Sequence, residues 1–130
     1  MTREPEPAQI ALYREGWAEA NCQKIVAATA DEYCFDDPLV ASFSRWNLST
    51  YFERLHAKFA RVGAIDAKDL AFILSGPMDG SLHRGCCTFF REAPRLGLSG
   101  ISVITLGAHG VIAECVAYDL NLATEVLGQR

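Results

Sequence analysis

The residues best suited to proton transfer in this sequence are two aspartates, each at the end of a predicted strand. Asp119 closes the last strand, in which one set of alternating residues is small and apolar and includes Cys115 and Ala117. Because alternate residues of a strand share a face, we expect this set to border a cavity under covering helices. Burial raises the pKa of a carboxyl group, which suits acid–base chemistry. In the alternative interpretation, Asp119 lies in solvent and caps a turn.

Asp37 closes an earlier, acidic strand predicted at residues 31–37 and is followed by Pro38, which has no N–H for a further ladder bond. Alternation places Asp37 on one side with Tyr33 and turns its neighbour Asp36 to the other. Asp37 should therefore approach the same cavity from the opposite rim. An aspartate before proline is also an ordinary turn residue, and that interpretation stands beside a pocket role.

A tyrosine and a histidine could complete such a site. Tyr13 lies on the apolar stripe of the predicted first helix, as a core residue or as a hydrogen-bond donor. His56 lies at the edge of the stripe of a later helix and either enters the cavity or stays half exposed. His83 and His109 fall in a strand and a turn. No histidines and acids have metal-ligand spacing on one helix, and no nucleotide- or phosphate-binding motif occurs, so we predict neither metal nor cofactor.

Helical patterns occupy the first half of the chain and strand patterns the second, which is typical of an α+β domain. Apolar residues three and four positions apart predict the first helix: Ile10, Tyr13, Trp17 and Ala20. Asn21 can cap a short second helix, and residues 39–47 read as an irregular connection. Thr50 and Glu53 have the spacing of a capping box and predict the start of a third helix. Its inward stripe would be Phe52, Leu55, Phe59 and Val62.

The second half predicts an antiparallel meander joined by short turns, with helices covering one face. Its strands are predicted at residues 70–74, 82–92, 98–106 and 111–120. The uncovered face would carry Ile112, Val116 and Tyr118. Contiguous exposed apolar residues usually mark contact surfaces, so we predict a homodimer through this face.

Composition predicts one globular domain over residues 1–130, with a flexible N-terminus at 1–7. Hydrophobic residues make up 50% and charged residues 22%, which excludes intrinsic disorder. The net charge of −4 and the scattered basic residues argue against nucleic acid as a partner. Without an apolar span or an export signal, we expect no membrane insertion, a cytoplasmic location and reduced cysteines, mostly as small core residues.

Three stretches of the sequence resemble the nuclear-transport-factor-2-like superfamily, in particular its ketosteroid-isomerase and SnoaL-like polyketide-cyclase branches. They are the first helix with Tyr13 and Trp17, the segment 30–38 that ends in Asp-Pro, and the segment 110–119 that ends in Tyr-Asp. The resemblance implies a cone-shaped α+β barrel, in which N-terminal helices pack on a curved, mostly antiparallel sheet around an internal pocket. It also implies a homodimer, since relatives commonly pair through the sheet.

The resemblance assigns roles to several residues. Asp37 matches the general base of the isomerases, which moves a proton alpha to a carbonyl, and Tyr13 matches the tyrosine that polarises that carbonyl. Ser102 falls where the isomerases hold a second acid, and Asp119 matches the acid–base aspartate of the cyclases. His56 is the counterpart of pocket histidines in scytalone-dehydratase-like relatives. The ligand would contact Trp17, Phe59, Ser102, Ile104, Cys115 and Ala117.

Together these features predict a cofactor-independent pocket enzyme that transfers protons on a small hydrophobic carbonyl compound. Isomerisation, cyclisation and dehydration all begin with that proton abstraction, so the residues leave the reaction open. The alternative is a non-catalytic module of the same fold, which binds a small ligand or serves as a dimerisation domain.

Overall fold

The computed structural model describes residues 7–60, 63, 66–77 and 85–119. These residues form three α-helices, a 3₁₀ helix at Ala67–Leu70 and six strands. The helices are α1 (Ala8–Ala18), α2 (Cys22–Ala27) and α3 (Leu48–Phe59). The strands are β1 (Thr29–Asp37), β2 (Ala41–Ser44), β3 (Ile73–Ser75), β4 (Cys86–Ala93), β5 (Leu98–Gly107) and β6 (Gly110–Tyr118). None of these helices is long and apolar enough to cross a membrane.

The strands form one open sheet in the order β2-β1-β6-β5-β4-β3. Strands β3 to β6 pair antiparallel in sequence order, which confirms the predicted meander. Strand β1 joins β6 in parallel and carries β2 on its free edge. The α+β class and the mostly antiparallel sheet are therefore as predicted. The parallel pairing of β1 with β6 joins the N-terminal strands to the meander.

The helices differ from prediction mainly at their starts. In α1, Tyr13 and Trp17 are fully buried, and Asn21 caps α2 by accepting a hydrogen bond from the backbone N–H of Lys24. The capping box predicted at Thr50 is wrong, because α3 already begins at Leu48. The buried stripe of α3 therefore contains Leu48, Tyr51, Leu55 and Phe59, while Phe52 is half-buried.

Several strand limits also differ. Leu70, predicted in a strand, belongs to the 3₁₀ helix, and β2 lies in the segment predicted to be irregular. His109 lies in the tight turn between β5 and β6, as predicted. The predictions for residues 1–6, Val62, His83 and residue 120 fall outside the described residues.

The predicted direction of the last strand is wrong. Val111 is buried as predicted, but from Glu114 onward the two sets are exchanged: Glu114 and Val116 are buried, and Cys115 and Ala117 are exposed. The prediction turned the small apolar set inward, which left Glu114 in water, and an isolated buried charge is indeed costly. That cost is met from β4, which lies beyond β5 in the sheet and whose Arg91 forms an ion pair with Glu114.

The face of the sheet turned away from the helices, here called the outer face, is partly apolar. Its exposed large side chains are Ile73, Phe90, Ile101 and Val103. Two of the three residues predicted for this face were wrong, since Val116 is buried and Tyr118 is half-buried with its hydroxyl on Asp37; Ile112 is half-buried. A shallow groove of about 430 Å³ crosses the outer face beside Phe90 and Ile101.

The cysteines, all of which lie among the described residues, form no disulfide, but they are not mainly core residues as predicted. Cys86 and Cys87 point to opposite faces of β4, as expected from alternation, and only Cys87 is buried. Cys34, Cys86 and Cys115 are exposed and Cys22 is half-buried.

Gly100 provides the space in which β4 and β6 bring their inward side chains together. It lies opposite Arg91 on one side and Tyr118 on the other. A Cβ atom at this position would lie 2.2 Å from the carbonyl oxygen of Ala117 and 2.9 Å from the Cα of Tyr118. Both of these atoms belong to the backbone, so β6 would have to shift.

Gly100→Ala should therefore lower the free energy of unfolding by about 3 kcal/mol, because the added methyl group overpacks the strand interface. Urea denaturation followed by circular dichroism measures the loss. Ser99→Ala, one residue earlier on the same strand and half-exposed, is the control and should change stability by less than about 0.5 kcal/mol. A Gly100→Ala variant as stable as Ser99→Ala would contradict the close approach.

Candidate acid–base site

The centre of the protein contains a fully buried ion pair. Arg91 on β4 donates from Nη1 to Oε2 of Glu114 on β6 at 3.0 Å, and neither side chain has any solvent exposure. The guanidinium carbon lies 3.9 Å from the ring centroid of Phe72, 4.3 Å from Trp17 and 5.3 Å from Phe35. The aromatic rings thus screen the pair from water, which strengthens its electrostatics.

Tyrosines extend the ion pair toward α1 and β1. The hydroxyl of Tyr13 donates to Oε1 of Glu114, the oxygen that Arg91 leaves open. The same hydroxyl shares a hydrogen bond of 2.5 Å with the hydroxyl of Tyr33, which lies on the inner face of β1. A continuous hydrogen-bonded chain therefore runs from Arg91 through Glu114 and Tyr13 to Tyr33.

Asp37 is the centre of a second buried group. Its side chain is 1% exposed, and Oδ2 accepts hydrogen bonds from the hydroxyls of Tyr51 and Tyr118, both at 2.8 Å. Its other oxygen accepts from the backbone N–H of Leu39 at 2.9 Å, the turn hydrogen bond typical of aspartate. Asp36 is exposed, as alternation predicts. Asp37 is thus held between α3 and the end of β6, beside a half-buried tyrosine.

The two groups influence each other electrostatically. Burial lowers the pKa of the Arg91 guanidinium, but Glu114, Tyr118, Tyr51 and Asp37 raise it, and the net result lies above its ordinary value. Burial raises the pKa of Tyr118, and the guanidinium of Arg91 partly opposes that effect. Arg91 therefore remains the cation that faces both carboxylates.

Four buried polar atoms near the ion pair have no hydrogen-bond partner within the described part of the chain. They are Nε and Nη2 of Arg91, Nε1 of Trp17 and the hydroxyl of Ser102. All three residues are fully buried. Ser102 lies on the inner face of β5. On that strand it is midway between Gly100, which pairs with Arg91, and Ile104, which pairs with Glu114.

The structure brings two of the four predicted catalytic residues into the interior. Tyr13 and Asp37 are both buried there, although they bind different partners. His56 is exposed, so of its two predicted positions the one inside the cavity is wrong; the buried stripe of α3 runs through Tyr51 and Leu55. Asp119 is exposed too.

The placement predicted for Asp119 is wrong for the same reason as the direction of β6. It lines the groove on the outer face together with Ala117, and Cys115 is exposed on that strand. Neither Ala117 nor Cys115 can line an internal pocket. The other predicted ligand contacts do point inward and are buried: Trp17, Phe59, Ser102 and Ile104. The catalytic and binding roles themselves stay predictions.

Sequence reasoning missed Arg91, Glu114, Tyr51 and Tyr118. A usable signal existed for the ion pair: each residue interrupts an otherwise apolar set of alternating positions, and the two charges are opposite. Tyr51 was missed because the predicted stripe of α3 began with Phe52, the next residue along the helix. Tyr118 was assigned to the outer face with the rest of its set.

This architecture and interior define the class of fold. The helices cover one face of an open, mixed six-stranded sheet whose inner face holds the ionisable residues, which is the nuclear-transport-factor-2-like cone. No protein-family profile matches the chain, and neither does any curated protein sequence. The likeness lies in solved structures.

Three of them illustrate it, each 10% identical to this chain. An NTF2-like protein of unknown function from Cytophaga hutchinsonii gives a TM-score of 0.55 over 92% of this chain and 96% of its own. A SnoaL-like protein from Shewanella denitrificans, named as a candidate polyketide cyclase, gives 0.56 over 96% and 100%. A candidate polyketide cyclase from Xanthomonas campestris gives 0.55 over 93% of each chain. These matches confirm the predicted fold.

The tyrosines provide a test of the buried network. All four, namely Tyr13, Tyr33, Tyr51 and Tyr118, have a raised pKa, chiefly because burial disfavours the phenolate. In the unfolded chain they ionise near the ordinary value of 10.0. Their contribution to stability should therefore be complete below pH ~10 and be lost as pH rises above it.

Spectrophotometric titration should accordingly show almost no tyrosinate at pH ~10, where half of exposed tyrosines are ionised. The band should appear at higher pH together with loss of the far-ultraviolet dichroism. The same protein in concentrated guanidinium serves as the control and should titrate normally. Ionisation of one or more tyrosines near pH ~10 in the folded protein would show that the network is open to water.

Proposed function

We propose that this protein is a cofactor-independent acid–base enzyme that acts on a small hydrophobic carbonyl compound, with Asp37 as its general base. The observation that carries the proposal is the buried carboxylate of Asp37, which accepts two tyrosine hydroxyls at 2.8 Å within the field of Arg91. Burial and these contacts fix the carboxylate in one position, and a positioned carboxylate can serve as a general base.

The energetic argument favours function over stability. Buried charges contribute little net stability, and apolar residues of similar volume often do as well or better. This domain nevertheless buries Asp37, Glu114 and Arg91. Buried charged residues, which a core built only for stability would avoid, are concentrated at functional sites.

In the proposed step, the C–H bond alpha to the substrate carbonyl breaks and the proton moves to Asp37. The bonding electron pair passes into the carbonyl system, which becomes an enolate. Return of the proton to another carbon gives isomerisation, attack by the enolate carbon on a second carbonyl gives cyclisation, and loss of a β-hydroxyl group as water gives dehydration. The polyketide-cyclase names of two neighbours in fold are compatible with each of these reactions.

In this proposal the substrate reaches Asp37 from the side on which Tyr118 lies. Tyr118 is half-buried, it ends β6, and its hydroxyl bonds directly to the carboxylate. Tyr51, the other donor, is fully buried on α3. A substrate that displaces the Tyr118 hydroxyl would meet Asp37 while Tyr51 keeps the carboxylate in position.

Asp37→Asn should reduce kcat by at least about 1,000-fold, because the amide cannot accept the proton although it fills the same space. Deuterium exchange into pentane-2,4-dione or a cyclic enone, followed by NMR, measures the proton abstraction without knowledge of the natural product. Asp36→Asn is the matched control on the exposed side of the same strand and should keep full activity. Exchange that is catalysed by the wild type and equally by Asp37→Asn would exclude Asp37 as the base.

We also propose that the protein forms a homodimer through the outer face of the sheet. Phe90 is 50% exposed, and it lies directly opposite Ile101, itself 39% exposed, on the neighbouring strand. With Ile73 and Val103 they give this face large apolar side chains in contact with water. Self-association of the same surface on two copies would remove that contact.

Phe90→Glu should convert the dimer into a monomer at micromolar concentration, because two new charges would face each other across the symmetric interface. Light scattering coupled to gel filtration measures the mass. Trp46→Glu, which places the same charge at an exposed aromatic residue of the turn between β2 and α3, is the control and should leave the mass unchanged. A monomeric wild type would rule the dimer out directly.

A further inference from the structure

The ion pair uses only one side of the Arg91 guanidinium. Glu114 accepts from Nη1, and the Tyr118 hydroxyl also interacts with the guanidinium, whereas Nε and Nη2 make no hydrogen bond among the described residues. Nε and Nη2 together form the edge of arginine from which two parallel N–H bonds reach the two oxygens of a planar anion. The guanidinium is held in place by packing against the rings of Trp17 and Phe72, which meet each other edge-on.

Two further hydrogen-bonding groups belong to residues close to Arg91. The indole of Trp17, whose ring centroid is 4.3 Å from the guanidinium carbon, has an unpartnered Nε1–H within the described chain. The hydroxyl of Ser102 is also without a partner in that part of the chain. Ser102 lies on the inner face of β5, the strand between β4 with Arg91 and β6 with Glu114. A buried polar group without a partner lowers the stability of the fold, so four such atoms together are not explained by folding alone.

We propose that the free edge of Arg91, with the indole of Trp17 and the hydroxyl of Ser102, binds a planar group that carries two oxygen acceptors. A carboxylate has this shape, and so does the enolate of a 1,3-dicarbonyl compound. The sequence instead predicts that Tyr13 donates to the substrate oxygen. The Tyr13 hydroxyl is already hydrogen-bonded to Glu114 and Tyr33, so the proposed site is a different one.

Charge distinguishes the two ligands. With both acids ionised, Asp37 and Glu114 outnumber Arg91, so a carboxylate ligand adds one more negative charge to the interior. A 1,3-dicarbonyl compound enters neutral, and its central C–H bond then gives a proton to Asp37 while the electron pair spreads over its two oxygens. The negative charge moves from Asp37 to the ligand, and the total is unchanged. The dicarbonyl case thus rests on the proposed function, whereas carboxylate binding does not.

The test is a titration of the whole protein with two probes, acetate and pentane-2,4-dione. Saturable thermal stabilisation reports binding of either probe, and the ultraviolet spectrum reports conversion of the dione to its enolate. Ser102→Ala and Trp17→Phe each remove one hydrogen-bonding group and leave the ion pair in place. Each should weaken binding of at least one probe about tenfold, as expected for a hydrogen bond to a charged group.

Matched controls are available for both substitutions. Trp46→Phe alters a tryptophan that is 74% exposed, and Ser99→Ala alters a half-exposed serine on the same strand as Ser102. Neither should change binding. Ser102→Ala also guards against loss of folding, because removal of an unpartnered buried hydroxyl should not lower the melting temperature of the free protein. Weaker binding without lower stability separates a ligand contact from a structural role.

Failure of this inference and failure of the proposed function give different results. If neither probe binds, or if both variants bind as the wild type does, the Arg91 site is overturned whatever Asp37→Asn does to proton exchange. If acetate binding weakens in the variants while Asp37→Asn keeps full exchange activity, the site stands and the proposed base is wrong. Dione binding with enolate formation that requires Asp37 supports both.

Discussion

The ion pair between Arg91 and Glu114 is the interaction on which the rest of the interior depends. Each charge would be prohibitively costly alone at zero exposure, and each is satisfied by the other at 3.0 Å. Glu114 in turn fixes the hydroxyl of Tyr13, while the guanidinium fixes the ring of Trp17. One pairing between β4 and β6 thereby orients the main buried residues of α1, and the helix is positioned by polar contacts as well as by apolar area.

The pair also determines which way β6 faces. A strand with alternate residues can turn either set inward, and a shift of one residue would exchange them. Inward placement of Glu114 forces Val116 and Tyr118 inward as well, and Tyr118 then reaches Asp37 at 2.8 Å. Gly100, opposite both Arg91 and Tyr118, leaves the space for this arrangement. The second buried group is therefore a geometric consequence of the first.

This dependence explains how much could be predicted from the sequence. The helices, the meander and the inward position of Asp37 follow from local periodicity and from proline and glycine, which act within a few residues. The direction of β6 does not, because it depends on a contact between residues 23 positions apart in the chain. Taken alone, a glutamate in a strand predicts exposure; only the arginine at the matching face of β4 reverses that preference. Asp119 was misplaced with β6, whereas His56 was assigned from the stripe of α3, whose inward side includes Tyr51.

The non-catalytic alternative has a clear physical form: a core filled with aromatic rings and a hydrogen-bonded ion pair can serve as a specific but inert scaffold. Such a scaffold needs its polar groups to be satisfied, because each unsatisfied one costs stability and brings no specificity. Glu114 and Asp37 meet that condition, with both oxygens of each carboxylate engaged. Arg91, Trp17 and Ser102 do not meet it within the described residues. The carboxylates are thus held as a structural network would hold them, whereas the hydrogen-bonding groups facing them are left open, and that asymmetry favours a site built to receive an oxygen-bearing ligand.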